Sequence, residues 1–176
     1  MISNQNTIKS QALSEQTQKV VQAFEALGTD EKLALLYFIY EKMGDSITPA
    51  APAATEPELS PLLMGDFYNL SHDQQLTIMR QIVNRDDTEY SHAYGALKEN
   101  NQLMVWFAWA QGMGNTVVDL PPDYKPTEPI NKALSQIEGL DFDEQISVLR
   151  TVASDMGYTD VKPIPSQAET GKTASL

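Results

Sequence analysis

The side chains with the most distinctive chemistry are large aromatic residues and methionines that recur at helical spacing. Such residues often do no more than fill a helical core, and that interpretation stays open. Aromatic faces and polarisable thioethers also suit a long conjugated ligand, to which they offer stacking and dispersion contacts. Their hydroxyl and indole N–H groups need partners when buried, and ligand oxygens or waters could serve. The set comprises Tyr37, Phe38, Tyr40, Met43, Met79, Trp106, Phe107, Trp109, Met113 and Tyr124.

Groups for acid–base, nucleophilic or metal chemistry do not occur at the spacings that catalysis needs. The two histidines, His72 and His92, are far apart in sequence, and the chain has no cysteine. Neither a His-Glu-x-x-His metal motif nor a Gly-x-Ser-x-Gly nucleophile motif is present. The acid pair Asp86-Asp87 falls at a predicted helix start, where capping explains it. We therefore expect no catalytic residue and no metal site, and a binding protein instead of an enzyme.

Composition narrows the class of protein further. The 176 residues carry a formal charge of −12, which repels phosphate backbones and makes nucleic-acid binding an unfavoured function. The longest apolar runs, residues 33–40 and 103–110, are far shorter than the roughly 20 residues of a membrane-spanning helix. The polar N-terminus shows no secretory signal, and the absence of cysteine fits a reducing compartment. These features predict a soluble, cytoplasmic protein.

Helix signals dominate, and no segment shows the sustained alternation of a strand, so we predict an all-α fold. Gly28 ends the first helix, Thr29 is the expected cap of a second helix that ends at Gly44, and Ser71 with Gln74 forms a capping box. Prolines make residues 45–61 a linker, after which Ser60-Pro61 begins a new helix. The predicted helices cover residues 14–27, 29–44, the segments after 60 and after 71, 88–97, 100–117, 128–138 and 142–156, with a loop at 119–127.

Three segments resemble one another: residues 27–36, 70–79 and 140–149. In each, a leucine precedes a predicted cap, acidic residues follow in the first turn, and a buried stripe comes next. Duplication of a helical unit would produce this pattern, and so would three independent helix starts that obey the same capping rules.

Several ordered motifs resemble the N-terminal domain of the orange carotenoid protein. They are residues 30–44 (DEKLALLYFIYEKMG) with Ile47-Thr48 and 50–52 (AAP), Gln74-Gln75, Asn84-Arg85 with Asp87-Thr88, Trp106, and 146–150 (ISVLR) with 155–157 (DMG). The likeness covers roughly residues 18–158. Because it stops where that protein would continue into a sensor domain, the chain is similar to the helical carotenoid proteins, which are stand-alone copies of this domain.

The resemblance implies two interleaved four-helix bundles around a ligand tunnel. It implies a non-covalently bound ketocarotenoid such as canthaxanthin or echinenone, and cells that harvest light with phycobilisomes. Residues 18–158 would form the carotenoid-binding domain, preceded by an N-terminal arm (1–17) and followed by a flexible tail (159–176).

Pigment contacts carry over from the family position by position. Tyr40 and Trp106 match the residues that flank the ionone ring, and Leu33 matches a further contact. Leu120 and Tyr124 match two more, provided that this chain is one residue shorter near Asp119. Tyr37 stands where the family usually has tryptophan. The remaining expected lining positions are Leu36, Met79, Leu103, Met113 and Ile146.

The expected function is photoprotection, by quenching of singlet oxygen or of antenna excitation through the bound carotenoid. One alternative is a carrier that delivers pigment to separate sensor-domain partners, and another is a pigment-independent phycobilisome-interacting protein. Arg150 matches the arginine with which the family bridges its two domains and docks on the antenna, although an ordinary surface arginine would fit as well. Association with phycobilisomes or thylakoids is the corresponding alternative for its location.

Overall fold

The structure is a computed structural model that describes residues 14–44 and 60–159. The predicted linker lies outside the described residues except at its last positions. Most of the predicted N-terminal arm and of the predicted C-terminal tail also lies outside them. The first helix begins at Glu15, so the last residues assigned to the arm are already helical.

The described residues form eight α-helices and no β-strand, which confirms the all-α prediction. A short 3₁₀ turn, Asp66–Asn69, follows α3. No helix in the described ranges is long and apolar enough to cross a membrane. The helices are α1 Glu15–Glu25, α2 Thr29–Met43, α3 Pro61–Met64, α4 His72–Val83, α5 Glu89–Gly95, α6 Glu99–Gly112, α7 Glu128–Glu138 and α8 Phe142–Ser154.

The two ends of the described chain pack together, so the helices interleave. Helix α1 packs against α7 and α8, and α6 also packs against α8. Helix α2 contacts α4, α6 and α7, while α5 contacts both α3 and α4. Helix α2 therefore touches helices from the middle and from the end of the sequence, and it lies where a shared internal site can form.

The helix starts follow the capping rules, with one correction. Ser71 accepts a hydrogen bond from the backbone N–H of Gln74 at 3.2 Å, and Gln74 Oε1 accepts from the Ser71 N–H at 3.1 Å, as predicted. The prediction that Thr29 caps α2 is wrong, because Gly28 is the N-cap and Thr29 is already helical. The Gly28 N–H donates to Glu31 Oε1 at 3.1 Å, so the terminus is stabilised without a capping side chain at position 28.

Helix α2 carries apolar residues on nearly every side, but it is only partly buried. Leu35, Leu36 and Ile39 are almost fully buried. Leu33, Tyr37 and Phe38 stay partly exposed. The apolar side chains that the core does not cover are thus available to line a cavity.

Helix α6 ends at Gly112, earlier than the predicted residue 117, because the chain turns sharply there. The N–H of Val117 donates to the Gly112 carbonyl at 3.0 Å, and Gly114 has a positive φ of 83°. Gln75, which is fully buried on α4, fixes the turn through Nε2 to the Thr116 carbonyl (2.9 Å) and Oε1 from the Val118 N–H (2.8 Å). The segment 118–120 is thereby held beside α4.

Helix α8 ends at Ser154, two residues before the predicted end, and the chain then turns back onto α4. Gly157 has a φ of 81°, and its N–H donates to the Ile82 carbonyl at 2.8 Å. A Cβ at this glycine would lie only 2.5 Å from Cδ1 of Tyr94. The turn therefore needs glycine for its backbone angle and for the space that Tyr94 occupies.

Candidate functional site

An internal cavity of about 70 Å³ lies between α2, α4, α6 and the segment 118–120. Its wall is almost wholly apolar, with aromatic rings, leucines and two methionines. Asp119, an exposed residue, is the one charged member of the lining. The lining residues are Leu33, Leu36, Tyr37, Tyr40, Leu76, Met79, Trp106, Trp109, Ala110, Met113, Val118, Asp119 and Leu120.

The two tryptophans form a rigid aromatic corner of this cavity. Trp106 and Trp109 are 4 % and 1 % exposed, and their rings meet edge to face at 5.3 Å between centroids. Trp109 also stacks on Phe67 at 4.0 Å, with the two planes 13° apart. Because buried aromatic pairs are stabilised by offset and edge contacts, both indoles are fixed in orientation before any ligand arrives.

The buried polar atoms of the aromatic residues are hydrogen-bonded within the protein. Trp106 Nε1 donates to the Tyr94 hydroxyl at 2.9 Å, and that hydroxyl donates to the Ala153 carbonyl at 2.7 Å. Trp109 Nε1 donates to the Leu63 carbonyl at 3.2 Å. The Tyr40 hydroxyl donates to the Leu103 carbonyl at 3.4 Å, and burial raises the pKa of Tyr40 well above its usual value. These partners lie outside the cavity wall, so the buried hydroxyl and indole groups need no ligand oxygen as a hydrogen-bond partner. The aromatic residues present the faces of their rings to the cavity.

Most of the residues expected to contact a pigment lie in this wall. Leu33, Leu36, Tyr37, Tyr40, Met79, Trp106, Met113 and Leu120 are brought together there. Three others are not part of it: Leu103 is buried beneath Tyr40, Ile146 is a partly buried residue of α8, and Tyr124 packs its ring on Phe38 at 6.2 Å. The ligand-binding role of all these residues stays a prediction.

Five lining residues were not singled out as binding positions from the sequence. Trp109, Ala110 and Leu76 could have been found from helical spacing, because they lie three or four residues from Trp106 and Met79. Val118 and Asp119 could not, because they follow the turn that Gln75 fixes and carry no periodic pattern.

A second cavity, of about 220 Å³, adjoins the first and shares Tyr37, Tyr40 and Ala110 with it. The Tyr37 hydroxyl donates to Glu41 Oε2 at 3.1 Å. Burial, this hydrogen bond and the nearby charges of Glu41 and Asp119 together raise the pKa of Tyr37. The second cavity is lined by Tyr37, Tyr40, Glu41, Gly44, Phe107, Ala110 and Gln111, and it is more polar than the first.

Other candidate groups lie away from both cavities. His72 is exposed, and His92 Nε2 lies 2.5 Å from Asp87 Oδ1 at the surface. Within residues 14–44 and 60–159, no three His, Cys, Asp or Glu side chains converge as a metal site would require. Arg150 is exposed, and its Nε donates to Asn100 Oδ1 at 3.3 Å.

Comparison with known families agrees with this architecture. Residues 10–159 match the model of the family described as orange carotenoid protein, N-terminal. The chain belongs to this family. An orange carotenoid-binding domain-containing protein of Nostoc sp. strain PCC 7120 is 39 % identical over 153 residues, which cover 84 % of this chain and 90 % of the relative. The orange carotenoid-binding protein of Synechocystis sp. strain PCC 6803 is 32 % identical over 77 % of this chain, but the match spans only 43 % of that longer protein.

Solved structures show the same helical fold. The Red Carotenoid Protein of Anabaena (Nostoc) sp. PCC 7120 binding canthaxanthin superposes with a TM-score of 0.72 at 36 % identity, covering 81 % of this chain and 99 % of that one. The Orange Carotenoid Protein of the same organism binding canthaxanthin gives a TM-score of 0.78 at 26 % identity, covering 92 % of this chain and 53 % of that one. The fold is thus that of the N-terminal domain of the orange carotenoid protein.

Proposed function

We propose that this chain binds a ketocarotenoid such as canthaxanthin or echinenone without a covalent bond and serves in photoprotection. The observation that carries the proposal is the apolar, aromatic cavity whose buried hydroxyl and indole groups are already hydrogen-bonded to protein. Two similar structures contain canthaxanthin, which fits such a cavity chemically.

The lining suits a flat conjugated hydrocarbon chain. Faces of Trp106 and Tyr40 offer stacking contacts, and the thioethers of Met79 and Met113 offer polarisable ones. We propose that Leu103, Tyr124 and Ile146 extend the contact surface beyond the cavity wall. Residues 18–158 would then constitute the pigment-binding domain.

The first cavity alone is smaller than the roughly 300–1,000 Å³ of typical ligand sites, so binding requires side chains to separate. Of the two tyrosines shared by the cavities, Tyr40 is buried and Tyr37 is partly exposed. We expect Tyr37 to move, because it has fewer packing contacts to lose, and the two cavities would then become one elongated site.

When bound, a conjugated polyene accepts excitation from singlet oxygen or an excited chromophore and releases it as heat. The protein's part is physical: its indole rings fix the geometry of the site, and its aliphatic lining keeps water out. Asp119 is the one charged side chain of the cavity wall, and no step of this function requires it to transfer a proton.

Expression in bacteria that synthesise canthaxanthin tests this proposal. The purified protein should carry a visible absorption band and should shorten the lifetime of photosensitised singlet oxygen more than its pigment-free form does. A colourless protein with the same helical circular dichroism would refute carotenoid binding. A coloured protein that leaves the singlet-oxygen lifetime unchanged would refute the photoprotective role alone.

Carriage of pigment is a second candidate, favoured by the adjoining cavity across the partly exposed Tyr37. That arrangement offers a path by which a bound molecule could leave the first cavity. Mixing the loaded protein with an empty carotenoid-binding sensor domain and following the visible spectrum would distinguish the two functions. A carrier loses its band to the acceptor within the experiment, whereas a dedicated quencher keeps it.

We also propose that Arg150 contacts a partner, either a phycobilisome or a separate sensor-domain homologue. Its guanidinium is exposed, and it forms no ion pair within the described part of the chain. Arg150→Gln should weaken co-sedimentation with phycobilisomes, while Lys132→Gln on α7 serves as a control for loss of one positive charge. Equal binding by the two variants would leave Arg150 an ordinary surface residue.

A further inference from the structure

Methionine is the only sulfur-containing residue type in the chain, which has seven methionines and no cysteine. In the described ranges, three of these methionines are partly buried and pack against the core: Met43, Met64 and Met113. Of these three, Met113 alone belongs to the lining of the first cavity. A thioether is oxidised to a polar sulfoxide when a peroxide reaches it. Oxidation of Met113 would therefore change the chemistry of the cavity wall.

We propose that Met113 is an oxidation site that controls pigment binding: hydrogen peroxide converts its thioether to a sulfoxide when the cavity is empty, and the modified protein binds carotenoid more weakly. This inference rests on the proposed carotenoid-binding function and adds a form of regulation to it. In the reaction, the sulfur forms a bond to one peroxide oxygen and the O–O bond breaks. The transferred oxygen gives its proton to the departing hydroxide, which leaves as water, so the sulfur loses two electrons and the peroxide gains them.

The surroundings of Met113 leave its sulfur open to this reaction. The sulfur atoms of Met43 and Met64 each accept a hydrogen bond from a neighbouring side chain, at 3.5 and 4.0 Å. Met113 has no such donor among the described residues, so the lone pairs of its sulfur remain available. The residue is partly exposed at the C-cap of α6, where the backbone is extended. Met79, the other methionine of the cavity wall, is by contrast only 6 % exposed.

The side chains of this wall offer no free hydrogen-bond donor to a sulfoxide. All four side-chain donors of the lining already donate to other protein oxygens; they are Tyr37, Tyr40, Trp106 and Trp109. Asp119 only accepts hydrogen bonds when it is ionised. Water can hydrate the sulfoxide in an empty cavity, but a bound polyene displaces that water. Because burying a polar group without a partner costs free energy, the oxidation penalises pigment binding.

Peroxide treatment followed by absorbance titration with canthaxanthin tests the proposal. Oxidation of the pigment-free parent protein should raise the dissociation constant by about tenfold, as expected when a buried polar group lacks a hydrogen-bond partner. Met113→Leu removes the sulfur at nearly constant volume, so peroxide should leave its dissociation constant unchanged. Met64→Leu, at a partly exposed methionine that lines neither cavity, should respond like the parent protein. Methionine sulfoxide reductases, one for each sulfoxide epimer, should restore binding to the oxidised parent.

Peptide mass spectrometry of the peroxide-treated parent protein gives a second, independent result. Bound canthaxanthin should slow sulfoxide formation at Met113 severalfold, because it covers the wall that Met113 lines, and should leave the rate at Met64 unchanged. Equal loss of affinity in the parent protein and in Met113→Leu would overturn the proposal, and so would a rate at Met113 that is indifferent to pigment; both results leave carotenoid binding intact. If the untreated parent protein bound no canthaxanthin, the proposed function itself would fail, and this inference with it.

Discussion

Tyr94 lies outside the cavity wall and positions the indole of Trp106, which is part of that wall. Tyr94→Phe is the substitution that tests this arrangement. Its hydroxyl accepts from Trp106 Nε1 at 2.9 Å and donates to the Ala153 carbonyl at 2.7 Å, and the side chain is fully buried. The Ala153 carbonyl keeps a second partner in the variant, the N–H of Met156 at 3.2 Å. The indole N–H of Trp106 has no other hydrogen-bond partner among the described residues.

The expected loss of stability follows because the Trp106 N–H is left without a partner, whereas the Ala153 carbonyl keeps one. An orphaned buried donor costs about 1–3 kcal/mol, and the phenylalanine ring still fills the same space, so the free energy of unfolding should fall by about 2 kcal/mol. Urea unfolding of the pigment-free protein at neutral pH, followed by circular dichroism, measures this directly. Tyr90→Phe is the matched control, because its ring is partly exposed and its hydroxyl has no partner among the described residues. If the two variants differed by less than about 0.5 kcal/mol, the role assigned to the Tyr94 hydroxyl would be wrong.

Three further substitutions test other parts of the structure. Gln75→Leu removes the three hydrogen bonds that tie α4 to the carbonyls of Phe67 and Thr116 and to the N–H of Val118. It should lower the free energy of unfolding by about 2–4 kcal/mol and weaken pigment binding. Gln81→Leu, at a partly exposed position of the same helix where the side chain forms no hydrogen bond among the described residues, should have a smaller effect. Gly157→Ala should lower the unfolding midpoint in urea by more than Gly139→Ala does, because of these two glycines residue 157 alone combines a positive φ with a close contact to Tyr94. Equal midpoints would show that the turn at residue 157 does not require glycine. The hydrogen bonds from Thr127 and from the Gly28 N–H lower the pKa of Glu31, so this carboxylate contributes stability above its unfolded pKa and loses it as the pH falls through its folded pKa. Glu31→Gln should therefore be less stable than Glu138→Gln at pH 7, and the two should converge at acid pH, once the Glu31 carboxylate of the parent protein is protonated in the folded state. A difference that persisted there would exclude this linkage.

The sequence predicts the helices well because their starts are governed by local chemistry. Ser71 and Gln74 form the capping box that their types and spacing predict, and Pro61 is the first helical residue after Ser60, although the Ser60 side chain makes no capping hydrogen bond. The error at Thr29 arose because a glycine can be an N-cap when a glutamate three residues later binds its N–H. The end of α6 was predicted too late, since the tertiary hydrogen bonds of Gln75 stabilise the turn that follows it.

The site is predictable only as far as its side chains follow helical spacing. Tyr37, Tyr40 and Trp106 can be placed on apolar helix faces from the sequence, and the family resemblance proposes what they contact. The hydrogen bond from Trp106 to Tyr94 joins two helices, so it depends on packing that no local sequence pattern encodes. The division of the site into two chambers likewise depends on how α2 meets α6.

Ala110 provides the most direct test of the proposal that carotenoid occupies the two adjoining cavities, because it lines both of them. The measurement is the canthaxanthin dissociation constant of Ala110→Leu, with Ala108→Leu on the same helix as a control that lies in neither lining. The larger side chain fills the junction, so we expect at least about tenfold weaker binding for Ala110→Leu and little change for Ala108→Leu. Equal, undiminished binding by both variants would show that the pigment binds elsewhere and would contradict the assignment of these cavities as the carotenoid site.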